Sequence, residues 1–549
     1  MQFVTDFLTV REGSAKRDLT VLIIVFGLFF TLFLGHLPLL DPDEGRYAEI
    51  PREMLERGDF ITPQLNYLKY FEKPPLHYWL NAFSQYVFGR TEFAARFPSA
   101  LLGLCGVLLT YHAGRRLFGR REGLFGALIL GASVGFVSLA RMNSIDMTLT
   151  FFMTATLFAF LLASREGEER KGIYYHLFYL FAALTVLAKG LIGIVLPGGI
   201  VFLYLLLTRR WRLLSEMRLL TGIPLFLAVC APWFVLVSLR NPEFPNFFFI
   251  HEHFRRFTTK VHGRYEPPWF FIPVLLGGLF PWTFFLPEAV RNVWKGASRE
   301  KLFLVLWAFV ILLFFSMSSS KLIPYILPVF PALALLAGVA ISGSLDDQRR
   351  SVSLQYLATI LFLCIAGGGV ILYPHLASRP KFAAEAALLP GCILAAGGLL
   401  SLGAFLKRGR EWVVALLCLT ACLAAVATPP VIFAGSIERK STRELAPIIK
   451  ERFSGVPIVS YGYYRQDVPF YTGRRVIVAG FSGELEFGRL LEKEKGWFID
   501  PLTFCRMWDS SSPLAVLISR GDLAVLQRVV KTQPRTVATW GGTVLISNR

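Results

Sequence analysis

Runs of about 20 apolar residues recur along this chain, and a helix needs about that many to cross a bilayer. Candidate spans cover residues 19–39, 97–115, 122–140, 146–164, 174–188, 190–208, 219–239, 269–288, 301–316, 323–343, 353–373, 388–406 and 412–431. Charged residues make up only 17% of the 549 residues, against about 25% in soluble domains. The sequence therefore predicts a polytopic α-helical membrane protein with about thirteen transmembrane helices. The spans 174–188 and 190–208 could also form one helix broken at Lys189-Gly190.

The basic residues between the spans predict the orientation. Clusters of Lys and Arg precede the first span and follow the second, fourth, sixth, eighth and twelfth. With thirteen spans these loops share one side, which the positive-inside rule makes cytoplasmic. The outer, periplasmic side then holds the segments 40–96 and 240–268 and everything after residue 432. The net charge of +19 fits this pattern, and no nucleic-acid-binding motif accompanies it.

The composition changes near residue 435. Short apolar runs, such as Pro457–Val459 and Leu514–Ile518, alternate there with polar stretches of helical spacing. Such alternation is typical of an α/β domain. We therefore predict a transmembrane domain over residues 1–434, with the outer loops 40–96 and 240–268, and a soluble α/β domain over residues 435–549.

The first outer segment is polar and charged at a membrane boundary, where charges are costly unless they pair or bind a ligand. It reads DPDEGRYAEIPREMLERGDFITPQLNYLKYFEKPPLHYW. Its spacing predicts two amphipathic helices lying in the interface. We assign function to the charged residues at the span boundary, which are Asp43, Glu44, Arg46 and Lys73. We expect Glu53, Glu56 and Arg57 to face water.

Four further positions on the outer side carry candidate chemistry. Asp146 begins a helix, where it caps the helix or faces a cavity as a second carboxylate. Lys189 snorkels to the interface or contacts an anion. Lys321 and Tyr325 lie in a Ser- and Pro-rich stretch that lines a cavity or is an ordinary helix entry.

The outer loop 240–268 contains an arginine cluster suited to binding phosphate or carboxylate, and two histidines. His251 and His253 lack an HxxxH spacing, so a zinc site would need a ligand from elsewhere, for example Glu72.

Several motifs in order resemble the membrane-embedded C-type glycosyltransferases. They are DPDEGRYAEIPREM, YFEKPPLHYW, RMNSIDM, LAKG, APWF, HEHFRRF and SSSKLIPYILPVFPALALL. The closest resemblance is to the 4-amino-4-deoxy-L-arabinose lipid A transferase branch of the dolichyl-phosphate-mannose protein mannosyltransferase group. It implies a bacterial inner-membrane enzyme that takes a sugar from undecaprenyl phosphate and modifies lipid A on the periplasmic side, which favours resistance to polymyxin and cationic peptides.

The resemblance also implies roles for individual residues. The implied catalytic residues are Asp43, Asp146 and Glu44. Binding of the donor phosphate or substrate is implied for Lys73, Arg46, Tyr47, Lys189, Arg256, Lys321 and Tyr325. Family members can hold a metal at the positions of Glu72 and His253, so a divalent metal such as zinc is a possible ligand, although the chemistry requires no cofactor.

Two departures from the family pattern leave the donor sugar open. Gly45 stands where the aminoarabinose branch usually has Thr, and FEKPPLHYW replaces FEKPIAGYW. A protein O-mannosyltransferase or a transferase of another sugar is one alternative. A lipid transporter is another, but it predicts internal repeats and charges in the span centres, and the sequence has neither.

Overall fold

The computed structural model describes residues 2–10, 12–255, 266–295, 298–346, 350–377, 382–407, 409–432, 441–492 and 496–549. The chain divides into two compact units. The first, called here the helical unit, comprises Met1–Phe33 and Ser99–Pro429, and the second, the mixed unit, comprises Leu34–Pro98 and Pro430–Arg549. The sequence placed the outer segment 40–96 with the transmembrane domain, whereas the structure groups it with the C-terminal residues.

The helical unit is built from α-helices, with short 3-10 and π segments between them. The α-helices that lie wholly or largely in this unit occupy Gln2–Thr9, Ala15–Thr31, Glu92–Leu117, Arg120–Ala132, Val134–Ala140, Ile145–Ala163, Lys171–Lys189, Ile192–Thr208, Leu213–Glu216, Leu219–Arg240, Phe271–Gly278, Leu286–Lys295, Arg299–Met317, Phe330–Asp346, Arg350–Leu376, Ala384–Leu406 and Arg410–Ile432. The first turns of Glu92–Leu117, as far as Pro98, belong to the mixed unit. A π-helix covers Asn246–Arg255, and 3-10 turns cover Pro268–Phe270, Trp282–Phe285 and Ile323–Val329.

The helices confirm a multi-pass membrane protein. Among the described residues, nine helices are long and apolar enough to cross a bilayer, or eleven if each of two bent pairs counts as one span. Two apolar helices of 17 residues, Ala15–Thr31 and Ile192–Thr208, fall on further predicted spans. Each predicted span therefore coincides with helix, although length and composition do not by themselves fix the count at thirteen. Gly190, with φ +78°, ends one helix before the next begins, so the uncertain pair is two helices.

Glycines allow helices of this unit to approach closely. A Cβ on Gly114 would lie 2.6 Å from the Cα of Gly123, and one on Gly338 would lie 2.5 Å from the backbone nitrogen of Gly126. In a bilayer the hydrophobic effect does not drive helices together. Small residues at such contacts stabilise a helix pair because they let the two backbones pack closely. Glycine contacts therefore hold the Arg120–Ala132 helix against its neighbours.

The mixed unit contains the predicted α/β domain. Its strands are β1 (Gln64–Leu65), β2 (Leu68–Lys69), β3 (Ile458–Tyr461), β4 (Ile477–Ala479), β5 (Phe498–Ile499), β6 (Ala515–Ser519), β7 (Arg535–Trp540) and β8 (Thr543–Ser547). Strands β1 and β2 form a hairpin, and the others form a six-stranded sheet in the order β5-β4-β3-β6-β8-β7. Strands β3 to β6 are parallel, and β8 pairs antiparallel with β6 and β7.

The helices of the mixed unit cover this sheet and form the outer segment. They are Asp43–Arg57, Leu76–Phe88, Leu445–Arg452, Asp467–Thr472, Glu486–Leu491, Pro501–Trp508 and Arg520–Val529, with a 3-10 turn at Gly483–Leu485. The buried side chains of Phe504, Trp508, Val516 and Ile546 form part of the core beside the sheet.

The Asp43–Arg57 helix corrects one expectation. Glu53 is only 1% exposed, and its carboxylate accepts the backbone N–H of Tyr67 at 2.9 Å. Burial, together with the neighbouring Glu49 carboxylate, raises the pKa of Glu53 well above its ordinary value. The prediction that Glu53 faces water was wrong, because the β1–β2 hairpin covers that face. Glu56 and Arg57 are exposed, as expected.

Gly45 permits a close contact between this helix and the Asp467–Thr472 helix. A Cβ on Gly45 would lie 2.8 Å from the backbone nitrogen of Asp467 and 3.0 Å from its Cα. Backbone atoms cannot rotate away as a flexible side chain would. The departure from Thr at this position is therefore explained by packing inside the mixed unit.

We expect Gly45→Ala to destabilise the protein by about 1–3 kcal/mol, the usual cost of overpacking. Thermal unfolding of the full chain in detergent measures this. The matched control is Gly521→Ala, because the atom nearest to a Cβ there is 3.8 Å away. Equal melting temperatures for the two variants would contradict the packing role of Gly45.

Candidate functional site

Arg46 lies at the centre of the first cluster of predicted site residues. Its guanidinium is 3% exposed and forms ion pairs with both Asp43 and Glu484. It also donates a hydrogen bond to the Tyr70 hydroxyl at 3.1 Å and lies 5.1 Å from the centre of the Tyr47 ring. The predicted residues Asp43, Arg46 and Tyr47 are thus together in the mixed unit.

Asp43 is the accessible member of this cluster. Its side chain is 63% exposed, and it stands in the first turn of its helix, where the helix dipole favours a negative charge. Arg46, one turn later, fixes the carboxylate from its buried side. An exposed carboxylate held in one position can orient an acceptor or bind an amine.

Glu44 has a different environment. Its side chain is 1% exposed and accepts two hydrogen bonds from Arg96, at 2.8 Å and 2.7 Å. The backbone N–H of Leu40 donates to the same carboxylate at 3.0 Å. These contacts are those of a structural ion pair that anchors the start of the helix. The catalytic role predicted for Glu44 has no support in this geometry.

Lys73 and Glu72 are both partly buried. The Lys73 amine donates to the Glu72 carbonyl at 2.9 Å. The Glu72 carboxylate lies close enough to Arg46 and Tyr70 to influence both electrostatically.

The predicted metal site stays a prediction. The described residues include no cluster of three or more His, Cys, Asp or Glu side chains suited to a metal. The side chain of His253 lies outside the described part of the chain.

The helical unit holds a second cluster, in which Lys189 forms an ion pair with Asp146. Both side chains are buried, and the Lys189 ammonium lies 4.7 Å from the centre of the Tyr325 ring. Ser144 is the helix cap, because its hydroxyl accepts the Asp146 N–H at 3.2 Å. The helix is therefore capped by Ser144 and not by the Asp146 carboxylate. The other interpretation, in which Asp146 is a second carboxylate facing a cavity, stays a prediction.

Lys321 is buried near an irregular stretch of backbone, as predicted. Its ammonium donates to the carbonyls of Ser318 at 2.6 Å and Glu266 at 2.9 Å. Carbonyl oxygens are weaker partners for a cation than a phosphate oxygen. The last predicted cation, Arg256, lies outside the described residues.

Sequence reasoning missed the contributions of the C-terminal domain. Glu484 reaches Arg46, and the backbone N–H of Gln466 donates to the Asp41 carboxylate at 2.7 Å. Arg465 forms an ion pair with the same carboxylate at 3.5 Å. No local pattern marks these residues, since their partners are hundreds of positions away in the chain.

Comparisons with known proteins agree with these features. The family model for dolichyl-phosphate-mannose-protein mannosyltransferases matches residues 72–236, and that for the aminoarabinose transferase C-terminal domain matches residues 445–548. A protein of Pectobacterium carotovorum, named undecaprenyl phosphate-α-4-amino-4-deoxy-L-arabinose arabinosyl transferase, is 34% identical over 416 residues, which cover 73% of this chain and 74% of the relative. The chain belongs to this family.

Solved structures extend the comparison to the whole chain. The crystal structure of ArnT from Cupriavidus metallidurans bound to undecaprenyl phosphate has a TM-score of 0.87 and 31% identity, covering 98% of this chain and 99% of ArnT. An oligosaccharyltransferase from Archaeoglobus fulgidus, at 13% identity and a TM-score of 0.51 over 92% of this chain and 69% of its own, shares the fold alone. The resemblance seen in the motifs is confirmed: the chain is a membrane glycosyltransferase of the arabinosyl transferase family.

We expect Glu484→Gln to lower the kcat of sugar transfer about tenfold, equivalent to roughly 1.4 kcal/mol, with little change in KM. The physical reason is that Arg46 loses one of the two carboxylates that fix it. Steady-state kinetics of the full chain measure this. Glu486→Gln is the matched control, because Glu486 is half-exposed and pairs with Arg489 three residues later in the same helix. Wild-type kcat for Glu484→Gln would contradict the role of this residue.

A buried carboxyl predicts a dependence of stability on pH. Burial and the nearby Asp41 carboxylate raise the pKa of Asp467 to about 7 from an ordinary 3.8. Because the folded state binds this proton more tightly than the unfolded chain, stability falls as pH rises from about 4 through about 7. Melting of the full chain should occur at higher temperature at about pH 5.5 than at about pH 8. Asp467→Asn should reduce this difference, and an unchanged difference would contradict the assignment.

Proposed function

We propose that this protein transfers 4-amino-4-deoxy-L-arabinose from undecaprenyl phosphate to lipid A, on the periplasmic face of the bacterial inner membrane. The observation that carries the proposal is the similarity over 98% of the chain to ArnT, whose structure contains undecaprenyl phosphate. The chain also has 34% identity over 73% of its length to a transferase named for this donor. The periplasmic orientation is supported by the basic loops on the opposite side.

A lysine of the mixed unit suits a phosphorylated donor. Lys73 is partly accessible, and its amine donates to the Glu72 carbonyl at 2.9 Å. Ammonium groups form strong charge-assisted hydrogen bonds with phosphate oxygens. We assign to Lys73 the stabilisation of the negative charge that develops on the departing undecaprenyl phosphate. The phosphate-binding role implied for Lys321, in the helical unit, stays a separate prediction.

Asp43 suits the acceptor or the amino sugar. A lipid A phosphate is already anionic and attacks without a strong general base. The exposed Asp43 carboxylate would then orient the acceptor or pair with the sugar's ammonium group, while Arg46 holds it in place. If the acceptor were a hydroxyl, the same carboxylate would serve as the general base.

The departure at Gly45 fits this proposal. This residue packs against the backbone of Asp467, so its lack of a side chain answers a packing requirement. The replacement of the usual Thr by Gly therefore does not indicate a different donor sugar.

The test uses the purified full chain with undecaprenyl-phosphate-linked aminoarabinose and either lipid A or a peptide acceptor. We expect release of undecaprenyl phosphate, and sugar-modified lipid A by mass spectrometry, only with lipid A. Asp43→Asn and Lys73→Ala should each abolish transfer, whereas Lys450→Ala, an exposed lysine in the same unit, should not. Transfer to peptide alone would favour a protein glycosyltransferase, and wild-type turnover by Asp43→Asn would exclude the proposed role of Asp43.

A further inference from the structure

A cavity lies in the mixed unit, lined by residues other than those of the predicted site. Its volume is about 650 Å³, and its lining includes Arg57, Tyr67, Lys69, Arg475, Glu492 and Trp497. Small-molecule sites usually measure roughly 300–1,000 Å³. The cavity is thus large enough for one or two sugar rings.

The turn of the β1–β2 hairpin forms a fixed wall of this cavity. The Asn66 side chain is fully buried, donates to the Val476 carbonyl at 2.9 Å and accepts the Val476 N–H at 2.9 Å. Asn66 and Tyr67 both have positive φ, +55° and +61°, as a tight two-residue hairpin turn requires. The backbone conformation and the paired amide together hold the Tyr67 ring beside the C-terminal domain.

A glycine contact fixes the helix that also lines the cavity. A Cβ on Gly488 would lie 2.8 Å from the Lys69 carbonyl oxygen and 2.8 Å from the Leu68 Cβ, so the Glu486–Leu491 helix lies directly against β2. Any other residue at position 488 would move the helix away from the hairpin. The cavity is therefore built into the packing of the unit.

The chemistry of the lining favours an anionic ligand with a ring. Three of the four charged residues that line the cavity are basic: Arg57, Lys69 and Arg475. The Arg475 guanidinium lies 4.2 Å from the centre of the Trp497 ring and pairs with Glu492, which orients it. Planar guanidinium groups recognise phosphate and carboxylate, and aromatic side chains offer an apolar face with a polar edge.

We propose that this cavity binds an anionic saccharide, namely the phosphate- or carboxylate-bearing sugar chain that a lipopolysaccharide acceptor carries beyond its lipid A. The identity of the ligand rests on the proposed function, because only a lipid A transferase meets such a chain at its acceptor. The C-terminal domain then selects acceptors by their sugar portion, while the reaction takes place at the lipid A phosphate.

The kinetic test compares two acceptors, lipid A alone and lipopolysaccharide with its phosphorylated inner-core sugars. For Arg57→Ala/Lys69→Ala we expect the KM for the core-bearing acceptor to rise about tenfold, equivalent to roughly 1.4 kcal/mol, with kcat and the KM for lipid A unchanged. The matched control is Lys450→Ala/Arg528→Ala, which removes two positive charges from the same unit away from the cavity. An unchanged KM, or an equal rise for both acceptors, would overturn the proposal.

A binding measurement separates this proposal from the proposed function. Isothermal titration calorimetry of the full chain with the delipidated, phosphorylated core oligosaccharide requires no sugar transfer. We expect wild-type protein to bind it, and the Arg57→Ala/Lys69→Ala variant to bind about tenfold more weakly. Binding of the oligosaccharide by a protein that transfers no sugar to lipid A would refute the proposed function but support the proposed saccharide site. Weaker binding of the dephosphorylated oligosaccharide would assign the site to phosphate, and unchanged binding would assign it to carboxylate. Equal affinity of the wild type and the variant, or no binding, would refute the site.

Discussion

The buried guanidinium of Arg46 is the interaction on which the arrangement of the mixed unit depends. Removing a charge from water costs several kcal/mol unless partners compensate it. Arg46 obtains them from Asp43, one helical turn away, and from Glu484, in the C-terminal domain. The outer segment and the C-terminal domain therefore form one compact unit, and the domain contributes directly to the geometry around the predicted acceptor-side acid.

Two of the charged residues predicted to lie near the membrane boundary are held in buried ion pairs. Glu44 is bound by Arg96, and Lys189 by Asp146. The Lys321 ammonium donates to the carbonyls of Ser318 and Glu266. The resemblance placed Glu44 beside Asp43 in the predicted catalytic set, although the two carboxylates have opposite exposure.

Local signals account for what the sequence predicted well. Apolar runs predicted the helices, and the order of motifs predicted the family and the cluster of Asp43, Arg46 and Tyr47. The errors concern contacts between segments far apart in the chain. Glu53 has the spacing of a solvent-facing residue, but the β1–β2 hairpin buries it. Glu484 has no distinguishing sequence pattern, because the buried Arg46 that it pairs with is far away in the chain.

A double-mutant cycle on kcat tests most directly whether Glu484 acts through Arg46. It compares Arg46→Gln, Glu484→Gln and the combined variant, in the full chain with the same donor and acceptor. If both residues act through one ion-pair network, the combined variant should be no slower than Arg46→Gln alone, since Gln carries no charge to pair with Glu484. Losses that multiply in the combined variant would contradict the account, because they would show that Glu484 acts independently of Arg46.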